Sequence, residues 1–259
     1  MDAYRAALVG LFPELACTFL DVGVIGRAVR EERLAYSHFN PRDYATDARK
    51  TVDDRPFGGG PGMVMMVEPL RLATRDARQA VPQGSPVILL SPQGRRFDQR
   101  AAAELAGLPG LVLIAARYEG VDERFTTREV DDELSIGDYV ISGGELAAAV
   151  VLDAVARLIP GVLGNPESAA AESHVDGLLD YPHYTRPEFD GEDRAPRVLL
   201  SGDHAAVAAW RRREALGRTW RRRAGALLDR ELSAADRELL ASYINEINES
   251  PTNDNGTPR

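Results

Sequence analysis

Apolar positions along this 259-residue chain fall into two kinds of pattern. Short apolar stretches bounded by turn formers occur at residues 5–9, 87–90 and 111–115. Residues 34–39 read as extended. Continuous apolar runs of this length suit strands buried on both faces. Between and after them, 22–33, 68–80, 98–107 and 145–159 carry helical spacing. Pro13 sits where a helix can open, and Asp98 where its carboxylate can cap one. Strand alternating with helix predicts an α/β domain with a mostly parallel sheet. Residues 40–63 interrupt the alternation with a polar, glycine-rich stretch too long for a plain connection.

The pattern changes near residue 160. Pro160-Gly161 ends the last of these helices, and residues 161–176 are small and polar with little periodicity. After Gly177 the strand signals stop and helical spacing dominates to about residue 248. The last stretch, 249–259, is polar and rich in turn formers, the composition of a disordered tail. The expected organisation is therefore an α/β domain over 1–160, a flexible linker over 161–176, a small all-α domain over 177–248 and a disordered tail. No internal repeat is visible.

Composition narrows the function classes. Apolar residues make up 44% and charged residues 27%, an ordinary globular profile. No apolar run reaches the 18 or so residues that a membrane helix needs, and Met1-Asp2-Ala3-Tyr4-Arg5 lacks the layout of a signal peptide. Cys17 is the single cysteine, which excludes an internal disulfide and cysteine-rich zinc sites. The expectation is a cytoplasmic protein with no membrane partner. His38, His174, His183 and His204 are scattered without metal-ligand spacing. No G-x-G-x-x-G opens a helix, Lys50 lacks a glycine-rich lead-in, and no G-x-S-x-G elbow is present.

The net charge of −9 argues mildly against nucleic acid, but its distribution is uneven. Between Trp210 and Arg223 seven arginines face one acid, Glu214, leaving −15 on the remainder. Both tryptophans lie in that segment. A basic, aromatic stripe on an acidic body fits a polyanion footprint. It fits equally a solvated helix face with two core tryptophans.

Four segments break apolar elements with glycine. They are Asp53-Asp54-Arg55-Pro56-Phe57-Gly58-Gly59-Gly60-Pro61-Gly62-Met63, Ser91-Pro92-Gln93-Gly94-Arg95, Arg117-Tyr118-Glu119-Gly120-Val121-Asp122-Glu123 and Ser135-Ile136-Gly137-Asp138-Tyr139-Val140-Ile141-Ser142-Gly143-Gly144-Glu145. Two follow predicted strands, where the loops of an open α/β sheet line a ligand crevice. Glycine lets backbone groups reach a ligand directly. Any one of them alone reads as a tight turn; four together point to a glycine-lined cofactor cleft.

These segments, together with Phe12-Pro13-Glu14, Ile159-Pro160-Gly161-Val162-Leu163-Gly164, Gly177-Leu178-Leu179-Asp180, Pro182-His183-Tyr184-Thr185-Arg186-Pro187 and Leu216-Gly217-Arg218-Thr219-Trp220, resemble the bacterial tRNA (guanine-N1)-methyltransferase (TrmD) family from about residue 8 to 223. The resemblance implies a trefoil-knotted fold of the SPOUT class and a homodimer with a composite active site. It implies S-adenosylmethionine as methyl donor and, as substrate, guanosine at position 37 of tRNA preceded by another guanosine. Magnesium has been associated with the family; nothing in this sequence marks an ion site.

By the same resemblance, Ala116 and the segment Ile136, Gly137, Asp138, Tyr139, Val140 and Ile141 contact the cofactor. Leu89, Leu90, Ser91, Pro92, Gln93, Gly94, Tyr118, Glu119, Gly143 and Gly144 complete the pocket. Glu172 takes the place of the family's general base, an aspartate there, and Arg157 stabilises charge on the guanine oxygen. The alternative for Arg157 is a simple pair with Asp153, four residues earlier. Arg55, Gly59, Arg186, Arg211, Arg218 and Arg221 are expected to meet tRNA. Leu89 stands where tyrosine is often found, and Ala116 where glycine is usual. Competing readings are another SPOUT-type RNA methyltransferase, a tRNA-binding homologue without catalysis, and an unrelated glycine-loop enzyme.

Overall fold

A computed structural model describes residues 3–164, 173–174, 176–228 and 230–249. The chain divides into two units, Met1–Ala169 and Ala170–Arg259. Each is described by itself.

The first unit is built on strands β1 (Tyr4–Gly10), β2 (Leu34–Phe39), β5 (Val87–Arg96), β6 (Gly110–Ala115) and β7 (Asp132–Ser135), in the order β2-β1-β6-β5-β7. Every pairing in this sheet is parallel. Period-two alternation divides its residues between two cores. Ala6, Leu8, Ile88, Leu90, Leu111 and Leu113 face α1 (Pro13–Leu20), α2 (Gly23–Arg30), α4 (Gln99–Ala106) and α6 (Gly144–Ala156). Ala7, Val9, Val87, Leu89, Val112 and Ile114 face α3 (Val67–Ala80) and α5 (Glu123–Glu129). Helix-capped parallel strands thus explain the continuous apolar runs.

Two elements carried no readable pattern. Strand β7 has the sequence Asp132-Glu133-Leu134-Ser135 and lies at the sheet edge, paired only with β5. An edge strand half out of the core needs few apolar residues. Helix α5 is anchored by one side chain, the fully buried Phe125. The long polar stretch 40–63 is also partly ordered. It contains a 3-10 turn at Pro41–Tyr44, and Asp53–Asp54 (β3) pairs antiparallel with Val64–Met65 (β4). Helix α6 stops at Ala156, with Arg157 as C-cap, short of the expected 159.

In the second unit, α7 (His204–Arg223), α8 (Gly225–Leu228) and α9 (Ala234–Glu249) supply the helices. It is not all-α as expected: a two-stranded hairpin, Phe189–Asp190 (β8) with Asp193–Arg194 (β9), precedes them. Segments of two residues are too short to carry a periodic signal. Leu178, Ala215 and Leu216 form its buried core, with Leu239 and Leu240 packed against them. Gly217 lets α9 approach, since a Cβ there would lie 2.2 Å from the Tyr243 ring. The Thr219 hydroxyl donates to Ala215 and accepts from the Leu179 amide at 2.9 Å.

Candidate cofactor cleft

Strands β6, β5 and β7 are neighbours in the sheet, so the loops leaving their carboxyl ends meet at one rim. That rim holds a cleft. Its walls are Leu90, Ser91 and Pro92, where β5 breaks its register; Ala116 to Gly120 after β6; and Leu134 to Gly137 with Tyr139 to Gly144, at and beyond the end of β7. Three of the four glycine-bearing segments therefore converge, as an open parallel sheet requires.

The glycines do different work. Gly144 lets the first turn of α6 settle on the end of β6, because a Cβ there would come within 2.7 Å of the Ala115 Cα. The Gly144 amide donates to the Ala116 carbonyl at 2.8 Å, which closes that corner. Gly137 adopts φ +150°, a region that side chains rarely enter. Tyr118 holds φ +61° without being glycine, an unfavourable conformation that the surrounding loop must enforce. Its phenol is pushed up from its ordinary pKa by burial and by the hydrogen bond to Asp53, so it stays protonated at neutral pH.

Some expected cofactor residues lie elsewhere. Leu89 is buried among Val87, Val112 and Ile114 on the α3 side of the sheet, whereas Leu90 points to the cleft side. One step along a strand reverses the face, so the Leu89 side chain turns away from the cleft. Gly94 closes the chain onto β7: a Cβ would sit 2.5 Å from the Glu133 and Leu134 backbone. The β5–β7 register shifts between Leu90 and Arg95, so the four intervening residues loop out and Leu134 pairs on both sides of them. Gln93 and Asp138 are exposed and do not appear among the cleft walls.

A buried ion pair was missed. Glu145, 1% exposed, accepts from Arg117 Nε at 2.9 and 3.1 Å and from the Phe12 amide at 3.2 Å. Arg117 also donates to the Ser142 carbonyl at 3.2 Å, and its guanidinium lies 4.8 Å from the centre of the Phe12 ring. Glu145 occupies the first turn of α6, where the helix dipole favours a carboxylate. The pair thus ties the loops after β1, β6 and β7 into one rim. A glutamate directly after Gly143-Gly144 at a helix start was the available signal.

The fourth glycine segment docks beside the cleft. The Glu119 amide donates to the Met63 carbonyl at 2.9 Å, and the Met65 amide to the Gly120 carbonyl at 2.9 Å. Arg42 reaches the Tyr118 hydroxyl at 3.3 Å. Arg55 and Gly59, on this segment, are both exposed.

Glu172 lies outside the described residues, as does much of the linker. Arg157 is half-buried at the end of α6, and its amide donates to the Asp153 carbonyl at 3.2 Å. In the second unit Arg186, Arg211 and Arg221 are exposed and Arg218 is half-buried. The arginine stripe is partly structural, however. Arg212 pairs with Asp236 at 2.8 Å and Asp176 at 2.6 Å, and Arg213 pairs with Glu214 at 2.8 Å and with Glu246. Arg211 lies 4.8 Å from the centre of the Tyr181 ring. Among the described residues no three His, Cys, Asp or Glu side chains converge as a metal cage.

No helix among the described residues is long and apolar enough to cross a membrane. A family model described as tRNA (Guanine-1)-methyltransferase TrmD matches residues 4–229. The chain is 53% identical to a tRNA (guanine-N(1)-)-methyltransferase of Pseudomonas entomophila, over 96% of this chain and all of the relative. It is 54% identical to one of Pseudomonas aeruginosa, over 94% of this chain and 97% of the relative.

Proposed function

The chain belongs to the tRNA (guanine-1)-methyltransferase family, and from that premise we propose that it transfers a methyl group from S-adenosylmethionine to N1 of guanosine 37 in tRNA. The observation that carries the reading is the convergence of three glycine-edged loops on one cleft at the carboxyl ends of β5, β6 and β7.

The cleft suits the donor. Leu90, Ile136, Ile141 and Ala147 offer apolar contact to an adenine ring, and Gly137, Gly143 and Gly144 are part of the same lining. When bound, the donor supplies an electrophilic methyl group on a sulfonium. The protein must align that methyl in line with guanine N1 and remove the N1 proton. Glu172 would accept the N1 proton as the methyl is transferred, and the donor, when bound, would leave as a neutral thioether. Glutamate carries one methylene more than the family's aspartate and keeps the carboxylate that the proton transfer needs. Arg157 faces the guanine oxygen that gains negative charge as N1 loses its proton.

The same reading carries a trefoil-knotted first domain spanning 1–160, a linker over 161–176 and a tRNA-binding second domain from 177. It also carries a homodimer in which Glu172 serves the partner's cleft. An exposed apolar face supports pairing with a second copy: Leu15, Phe19, Val22, Leu146 and Val150 lie on or beside α1 and α6 and are each at least 43% exposed. Arg211, Arg218, Arg221 and Arg186 hold phosphates of the tRNA, and a tRNA substrate supports a cytoplasmic enzyme.

Labelled S-adenosylmethionine incubated with tRNA carrying guanosine or adenosine at position 37 tests this. Label must appear in N1-methylguanosine, and only with the first tRNA. Glu172→Gln and Arg157→Ala must each impair turnover while cofactor affinity by calorimetry stays near that of the parent. Label in a ribose, or none with either tRNA, rejects the proposal.

A further inference from the structure

The β3–β4 hairpin presents a feature that the methyl-transfer reading leaves unused. Phe57 is 96% exposed at its tip, the most exposed of the large apolar side chains among the described residues. A phenylalanine in that position contributes nothing to the chain's own packing, and its hydration is unfavourable. It stands between Arg55-Pro56 and Gly58-Gly59-Gly60, whose φ angles are +86°, +76° and +118°. A Cβ on any of these three glycines would meet nothing within 4 Å, so no neighbour crowds the turn. Glycine is needed there only for the left-handed backbone that turns the ring outward.

The root of the hairpin is firmly held. Val64–Met65 pairs with Asp53–Asp54, Met65 forms a parallel bridge with Val121, and Met63 and Met65 bond to Glu119 and Gly120. The latter two residues line the cleft. An aromatic side chain is therefore held out on a rooted arm beside the proposed site of chemistry, with the exposed cation Arg55 two residues away. Between the arm and the segment Val121–Arg124 lies a groove walled by Arg55, Phe57, Val64 and Met66. A flat apolar face next to a guanidinium matches unpaired nucleotides, which offer a π-face and a phosphate together.

We infer that Phe57 is a base-stacking finger: its ring stacks on the nucleobase beside the target guanine and replaces stacking lost when that guanine is drawn into the cleft. Arg55 contributes to the phosphate of the same nucleotide. The inference rests on the methyl-transfer reading and adds a positioning residue to it.

The test measures tRNA affinity and KM for Phe57→Ala, Phe57→Leu and Phe57→Trp across a salt series. Alanine and leucine weaken tRNA binding on the order of tenfold to a hundredfold, while tryptophan stays within about threefold of the parent. The salt slope is unchanged in the Phe57 variants, whereas Arg55→Ala lowers it by about one. Cofactor affinity, thermal midpoint and sedimentation mass match the parent in all Phe57 variants. Full tRNA affinity in the alanine variant overturns the inference. So does a leucine variant equal to the parent, which would show that bulk suffices without an aromatic face. A lighter species in sedimentation or a lowered thermal midpoint would place the ring in a protein contact and also overturn it. Parent enzyme that methylates tRNA alongside an unaffected alanine variant rejects the finger alone. A parent that transfers no methyl to tRNA rejects the finger and the methyl-transfer reading together.

Discussion

The two units use arginine–carboxylate pairs to different ends. In the first, Arg117 and Glu145 meet at 2.9 Å with side chains 19% and 1% exposed, at the edge of a sheet already covered on both faces. In the second, Arg212 bridges Asp236 and Asp176 with 31% of its side chain exposed, in a unit whose buried apolar cluster, among the described residues, is Leu178, Ala215 and Leu216. The first unit holds together by hydrophobic burial and spends its ion pair on arranging three loops. Among its described residues the second unit has a smaller buried apolar cluster, and the Arg212–Asp236 pair ties α7 to α9 beside it. A cationic surface and a structural ionic network consequently share one helix, α7, and the arginine count alone does not separate them.

Several changes sharpen or break that contrast. Truncating Phe125 to alanine in the first unit is expected to cost about 3–5 kcal/mol in denaturant unfolding, because a fully buried aromatic leaves a cavity between α3, α5 and the sheet. A loss below about 1 kcal/mol would mean that this core is not close-packed. Glu145→Ala is expected to cost a similar or slightly smaller amount, about 3 kcal/mol, since it leaves the Arg117 guanidinium uncompensated beneath the rim. Cofactor affinity should fall with it. Stability lost with cofactor binding intact would assign the pair to folding alone.

In the second unit, Arg212→Ala is expected to cost about 1–2 kcal/mol, discounted because the group is partly exposed. The transition that weakens should be that of the second unit only. The pH dependence has a definite sign. The hydrogen bond from Arg212 holds the Asp236 carboxyl below its ordinary value of 3.8. Its contribution is complete above that value and is lost as pH falls through the lowered folded value. Acid unfolding of the second unit should therefore begin at higher pH in the Arg212→Ala protein than in the parent. Coincident acid limbs would show that the pair adds no stability.

The smallest expected effect is at the cleft. Ala116→Gly removes one methyl from the wall. Cofactor affinity should change by about fourfold at most, the value of one buried carbon. A far larger gain would identify this methyl as a deliberate restriction on the cleft.

Strands β1, β5 and β6 and helices α3, α4 and α6 were legible in the chain because each buries enough apolar residues to impose a period. Two of the glycine segments stood out in the chain because they follow predicted strands, and the structure brings a third to the same cleft. Strand β7 and helix α5 were not, because an edge strand and a one-anchor helix need almost no pattern. The family relationship was readable from motif blocks, which record chemistry that no periodicity encodes.

What the chain determined by itself was the inventory: which segments become strands or helices, and which glycines open the backbone. Tertiary structure alone decided the pairings. It set Leu89 and Leu90 on opposite faces, gave Gly94 to a backbone crossing, joined Arg117 to Glu145, and divided the arginines of α7 between solvent and internal carboxylates. The reason is range. Local propensity acts over a few residues, whereas a contact such as that between Phe12 and Glu145, 133 positions apart, exists only after the sheet has ordered its strands.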